Sequence, residues 1–191
     1  MQRSAIVLDP NWNGGDYYDA APGEGPHQGL AVAREIAHIT YRTEPEFAER
    51  FNRKEADKLD KGFTSWQRFQ VETYLDNQGA KLVRRFDANS YLTITRAMDL
   101  HDIGRGRAGV GRALARITAP VLTMAIDSDA LYPPYQQEEI RDLIAANGGT
   151  VIHEVIHTAK GHDGFLACAD QVGAAVAPFL EQLRNHPRTE I

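Results

Sequence analysis

Two short apolar runs near the C-terminal end, separated by one helix-length segment, constrain the fold of this 191-residue chain more than any other feature. The first, "APVLTMAIDSD", starts at a proline and reads as a buried strand of a parallel sheet. The second, "TVIHEVIH", is rich in β-branched residues, which favour the pleated surface of a strand. Between them, "PPYQQEEIRDLIAANGG" opens on proline and stops at Asn147-Gly148-Gly149, the asymmetry expected of a helix. Residues 168 to about 185 predict a last helix. Strand, crossover helix, strand and helix make a βαβ unit, which belongs in a parallel sheet covered by helices. Two strands alone leave both edges open, so the pattern is expected to be the back half of a larger α/β fold.

The preceding residues are of a different kind. The first thirty, with "DPNWNGGDYYDAAPGEGP" at their centre, read as turn and loop. From Gly29, Leu30, Ala33 and Ala37, joined by Ile36 and Ile39, share one side of a helix. Thr43 and Glu46 have capping-box spacing, with Pro45 in the first turn, so a second helix starts there. Its continuation, "AERFNRKEADKLDKG", reads as a solvated, charged segment. Between Trp66 and Asp99 the apolar spacing predicts two or three helices, broken near Gly79 and around Asp87-Ala88-Asn89. "GRGRAGVGRALAR" reads as a flexible connector. The expected division is therefore a helical part with an N-terminal loop over 1–117 and a strand-bearing part over 118–191.

Composition removes several function classes. A net charge of -5 with interspersed signs lacks the clustered basic face that nucleic acid requires. No apolar run approaches the roughly 20 residues of a membrane helix. The N-terminus has no signal-peptide pattern, and the lone Cys168 cannot form an internal disulfide, so a reducing, cytoplasmic setting is expected.

In open parallel sheets, functional groups gather beyond the carboxyl ends of the strands. "DSDALYPP" follows the first strand and "KGHDGF" the second. An Asp followed by a His at successive strand ends is the order an α/β-hydrolase triad needs, with His as base and Asp fixing its tautomer. The plainer alternative is that Asp127 and Asp129 start a turn and His162 caps a loop. "HEVIH", His153 to His157, also matches the H-E-x-x-H zinc pattern, with Glu181 as a conceivable third ligand; that chemistry needs a helix. A nucleophile is harder to find, because none of Ser4, Ser65, Ser90 and Ser128 lies in a G-x-S-x-G elbow. Cys168 sits in a helix that must pack, where a thiol is inert.

The blocks "DPNWNGGDYY", "GLAVAREIAHITYRT", "RFQVETYLDNQGAKLVRRFDANSYLTITRAMDLHDIGR", "DSDALYPPYQQ" and "GHDGFL", in this order, resemble the homoserine O-acetyltransferase family of the α/β-hydrolase superfamily. The resemblance implies the C-terminal part of that fold, two parallel strands with helices, preceded by a helical lid that mediates homodimerisation. It implies Asp129 as the acidic triad member and His162 as the base, with Asp163 holding the ammonium of L-homoserine and Arg34 and Tyr41 its carboxylate end. Arg34 and Tyr41, two helical turns apart, project from one face. The implied reaction is ping-pong: a serine takes an acetyl group from acetyl-CoA, a co-substrate rather than a cofactor, and the homoserine hydroxyl accepts it. No metal is implied. The family's elbow serine, oxyanion-hole donors and first strands have no counterpart in these residues, so the 191-residue chain by itself is expected to be inactive. Homoserine O-succinyltransferase of the same fold and a non-catalytic dimerisation or regulatory module remain the alternatives.

Overall fold

The computed structural model describes residues 1–56 and 68–185, which form two compact units. One comprises Met1–Thr40 with Glu44–His101, the other Tyr41–Thr43 with Asp102–Ile191.

The first unit is helical: α1 (Gln2–Val7), α2 (His27–Tyr41, whose last residue belongs to the second unit), α3 (Glu44–Arg50), α4 (Gln70–Val83) and α5 (Ala88–Asp99). Its core joins Ile6, Leu30, Ala33, Leu82 and Ala88, with Trp12, Tyr17 and Tyr91 packed against them. α1 and a 3-10 turn over Pro10–Gly15 occupy residues expected to be loop. Six residues seldom hold a helix alone; Ile6, fully buried, ties α1 into the core. On α2, Leu30, Ala33 and Ala37 are buried as the spacing predicts, whereas Ile39 is 54% exposed. α3 starts where the Thr43, Pro45 and Glu46 pattern places it; residues 57–67 of the expected charged segment lie outside the described residues. The break expected at Gly79 is not one, for α4 runs through it. A Cβ there would lie 3.0 Å from the Ala31 Cβ, so the glycine permits close helix packing rather than a turn. The break at Asp87 is real: its carboxylate accepts the Ser90 N–H and caps α5. The Tyr17 hydroxyl donates to the same carboxylate, and burial together with that bond pushes the phenol pKa up.

The second unit carries the sheet: β1 (Val121–Ile126) and β2 (Val151–Ile156), parallel, with Val121 opposite Val151 and Ile126 opposite Ile156. Among the described residues the sheet has these two strands, each with an open edge. α6 (Val110–Leu114) forms within the glycine- and arginine-rich segment and buries Leu114. α7 (Pro134–Ala146) is the crossover and buries Ile144. After β2 come a 3-10 turn over Gly161–Asp163, α8 (Gly164–Ala167) and α9 (Ala169–Asn185). "HEVIH" thus lies on and just beyond a strand. Four residues of strand span about 13 Å, too far for His153 and His157 to share a metal as they would on a helix. His153 Nδ1 sits 2.8 Å from Thr123 Oγ1, and His157 Nδ1 donates to Asp127 at 2.9 Å. One histidine is engaged with β1 and the other with the residue just after it, and the zinc alternative is overturned.

Candidate active site

Asp129 and His162 meet where the two strands end. Asp129 follows β1 in a turn that closes through its N–H to Ile126 C=O, and its side chain is only 6% exposed. Burying a polar group is costly unless it is hydrogen-bonded, and three hydrogen bonds reach this carboxylate. Oδ1 accepts the N–H groups of Leu131 and Tyr132 at 2.8 and 2.9 Å, and Oδ2 accepts Nδ1–H of His162 at 2.8 Å. Since the carboxylate can only accept, the proton of the neutral imidazole sits on Nδ1 and the Nε2 lone pair is left to take another. No hydrogen bond engages Nε2 among the described residues.

The imidazole is held by rings as well. Tyr132 and Phe165 meet it edge-on at centroid distances of 5.2 and 5.5 Å, and Tyr41 lies tilted at 5.5 Å. A cleft of about 180 Å3 opens beside the pair, lined also by Met124, Ile126 and Ile156. A larger groove of about 350 Å3 between β2 and α9 is lined chiefly by Ile152, Ala175, Pro178 and Phe179 and contains neither member of the pair. The smaller cleft is where proton transfer can occur.

The loop that delivers His162 is pinned on two sides. Ser128 accepts the Gly161 N–H at 3.0 Å and donates to Thr158 C=O, so this serine is a brace and not a nucleophile. Gly161 has φ of +66°, and a Cβ there would lie 2.6 Å from the Tyr41 carbonyl oxygen; both facts favour glycine. Thr43 Oγ1 donates to Ala159 C=O, and Arg42 Nη2 pairs with Asp163 Oδ2 at 2.9 Å.

A second Asp–His pair, Asp127 with His157, lies at the same strand ends but is much more exposed, 42% and 76%. The Thr158 N–H, and then His157, hold the Asp127 carboxyl below its ordinary range. Gln171 binds both the N–H and C=O of His157, so this pair fastens strand ends to α9. Burial and a third hydrogen bond distinguish Asp129 from Asp127 as the catalytic candidate.

Of the residues singled out in the sequence, Asp129, His162, Asp163 and Tyr41 lie together in the second unit. Arg34 lies in the first, half-buried on α2 and about 10 Å along that helix from Tyr41. Arg42, Tyr132 and Phe165 were not singled out, and Ser128 was weighed only as a nucleophile. Tyr132 and Phe165 stand inside the quoted blocks "DSDALYPP" and "KGHDGF", the only signal that could have marked them.

No family model matches the chain. Its sequence is 50% identical over 181 residues to a homoserine O-acetyltransferase of Thermobifida fusca, covering 95% of this chain and 46% of that protein. A homoserine O-acetyltransferase of Moorella thermoacetica is 45% identical over 184 residues, covering 96% and 48%. The crystal structure of homoserine O-acetyltransferase from Bacillus anthracis superposes with a TM-score of 0.77 at 23% identity, over 92% of this chain and 47% of that one. The chain spans about half the length of the curated relatives it matches. By sequence over nearly all its length the chain is similar to about half the length of the homoserine O-acetyltransferases it matches, and its fold is that of part of an α/β-hydrolase.

Proposed function

We propose that these residues supply the acid–base half of a homoserine O-acetyltransferase, moving an acetyl group from acetyl-CoA to the hydroxyl of L-homoserine. The observation that carries the reading is the buried Asp129–His162 bond of 2.8 Å with Nε2 left open at a cleft. His162 takes the proton of a nucleophilic serine as it attacks the thioester, and returns it to the departing CoA thiolate. It then removes the homoserine hydroxyl proton as that oxygen attacks the acetyl-serine, and returns it to the serine. Asp129 keeps Nδ1 protonated and stabilises the imidazolium formed in each half. The reading places the serine in the portion of the relatives that this chain does not match, since Ser128 is a brace, Ser4 and Ser90 lie on α1 and α5, and Ser65, outside the described residues, has no G-x-S-x-G elbow around it.

Asp163, Tyr41 and Arg34 are read as binding the acceptor. The similarity to homoserine O-acetyltransferases favours acetyl over succinyl as the group transferred. The reaction needs no resident cofactor or metal. We also read the protein as cytoplasmic and homodimeric; among the described residues no helix is long and apolar enough to cross a membrane. Exposed Ile94 and Met98 on α5 support contact between copies there. The test is product analysis by mass spectrometry on the full-length polypeptide that carries these residues, with acetyl-CoA and succinyl-CoA offered in turn. O-acetylhomoserine from acetyl-CoA is expected, and little or none from the isolated 191 residues. O-succinylhomoserine as the main product, or neither product, would overturn the reading.

A further inference from the structure

The cleft beside Asp129 and His162 has walls of nearly one chemical kind. Met124 and Ile126 from β1 and Ile156 from β2 form its apolar side, and Tyr132 and Phe165, 43% and 46% exposed, flank the histidine. Among the described residues no lysine or arginine lines it, and its one carboxylate, Asp129, already takes three hydrogen bonds. Beyond the catalytic pair, the polar side chains on its wall are the phenol of Tyr132 and the amide of Gln137. Gln137 stands near the start of α7, half-buried, and its amide has no hydrogen-bond partner among the described residues. An amide so placed gives up part of its hydration with no protein partner in return. Its C=O and NH2 are together free to accept and to donate.

From this lining we infer that the cleft receives the thiol arm of the acetyl donor, and that Gln137 is a specificity-determining residue reading the amide nearest the thioester. This rests on the proposed transfer from acetyl-CoA and deepens it. The two co-substrates differ in what they bring to His162. An amino-acid acceptor carries a carboxylate and an ammonium, and the cleft has no cationic side chain for the one and no uncommitted carboxylate for the other. The arm of acetyl-CoA is neutral, with two methylene groups between its sulfur and an amide. The methylene groups match Met124, Ile126 and Phe165, and the amide matches Gln137, N–H to C=O and C=O to NH2. A volume of about 180 Å3 falls below the roughly 300–1,000 Å3 of a site for a drug-sized ligand. It therefore takes the end of the arm and leaves the nucleotide outside. The sulfur then lies on the His162 side of the cleft, where the departing thiolate collects its proton.

The experiment compares kcat/KM for two short acetyl donors at saturating L-homoserine. S-acetyl-N-acetylcysteamine keeps the amide and ends just beyond it; S-pentyl thioacetate has the same chain length without it. The full-length polypeptide is used, wild type and Gln137→Ala, with Gln137→Met read in its place if the alanine variant fails to fold. The ratio of the amide donor to the alkyl donor should fall by about 3- to 10-fold on removing Gln137, the scale of a lost neutral hydrogen bond. A purely structural role would slow both donors alike, and a fall smaller than about 3-fold overturns the inference while leaving the acetyltransferase reading intact. Where the wild type turns over neither short donor, calorimetric Kd values for the same two compounds decide instead. A fall of at least about 3-fold in their ratio supports the inference, and a smaller fall, or no binding by the wild type, overturns it. The acetyltransferase reading fails separately, if acetyl-CoA itself yields no O-acetylhomoserine.

Discussion

Replacing Asp129 by Asn changes one oxygen to an NH2 group and nearly nothing in shape, and the surrounding bonds decide which way the amide turns. In the wild type one carboxylate oxygen accepts two backbone N–H groups, from Leu131 and Tyr132, and the other accepts from His162. If the Asn oxygen stays with the backbone donors, its NH2 faces Nδ1 of His162 and compels that nitrogen to accept. The imidazole then carries its proton on Nε2 and cannot act as base. Turning the amide over would leave two N–H groups facing NH2, at about 1–3 kcal/mol for each unsatisfied donor, or about 2–6 kcal/mol together. The wrong tautomer is thus held by that amount. At 1.36 kcal/mol per factor of ten, turnover should fall by about 30-fold at least and by up to about 25,000-fold. The assay is kcat at saturating acetyl-CoA and homoserine on the full-length polypeptide, with circular dichroism to confirm the fold and nitrogen-15 NMR to read the His162 tautomer. A variant within about threefold of wild-type turnover, far above the range set by those bonds, would refute the reasoning. So would a well-folded variant whose Nδ1 still carries the proton.

Three further substitutions test the frame around the pair. Gly161→Ala should lower unfolding free energy by at least about 2 kcal/mol, because its positive φ and the crowding at the Tyr41 carbonyl both act against a Cβ; an unchanged urea midpoint would contradict this. Ser128→Ala removes the bonds to Thr158 and Gly161 and should cost about 1–3 kcal/mol, while the folded variant still accepts an acetyl group from acetyl-CoA in a burst assay; loss of the acyl-enzyme would mark Ser128 as the nucleophile after all. Asp127 has a depressed pKa in the folded state, chiefly from the Thr158 N–H, so its contribution is full above the ordinary carboxylate pKa and is lost as pH falls through the lower folded value. Asp127→Asn should therefore flatten the acid limb of stability against pH below about 4, and an identical acid limb in urea titrations would count against the assignment.

The strand–helix–strand unit was legible because its signals are local: β-branched runs, a proline start and a glycine stop. The same locality separated strand from helix at "HEVIH", where the β-branched residues prevailed over the zinc-like spacing. α1 was not legible, since six residues are helical through the burial of Ile6 against elements far along the chain. Gly79 misled for the opposite reason: the tendency of glycine to break helices was overridden by the need for close packing against Ala31. At the site, the Asp129 and His162 positions could be read from strand ends. Arg42 stood inside a quoted block, but its pairing could not be read, because its partner Asp163 lies 121 residues on and only the tertiary fold brings the charges together. Ser128 looked like a stray hydroxyl for the same reason, with both of its partners in the loop after the other strand.

The account rests on His162 being the base for acyl transfer, and His162→Ala in the full-length polypeptide measures that most directly. With the fold verified, the rate of O-acetylhomoserine formation should drop by about 1,000-fold or more, as removal of a triad base does elsewhere. A folded variant that keeps more than about a tenth of the wild-type rate, a loss smaller than general-base catalysis ordinarily supplies, would show that another group moves the proton and that the Asp129–His162 pair is structural.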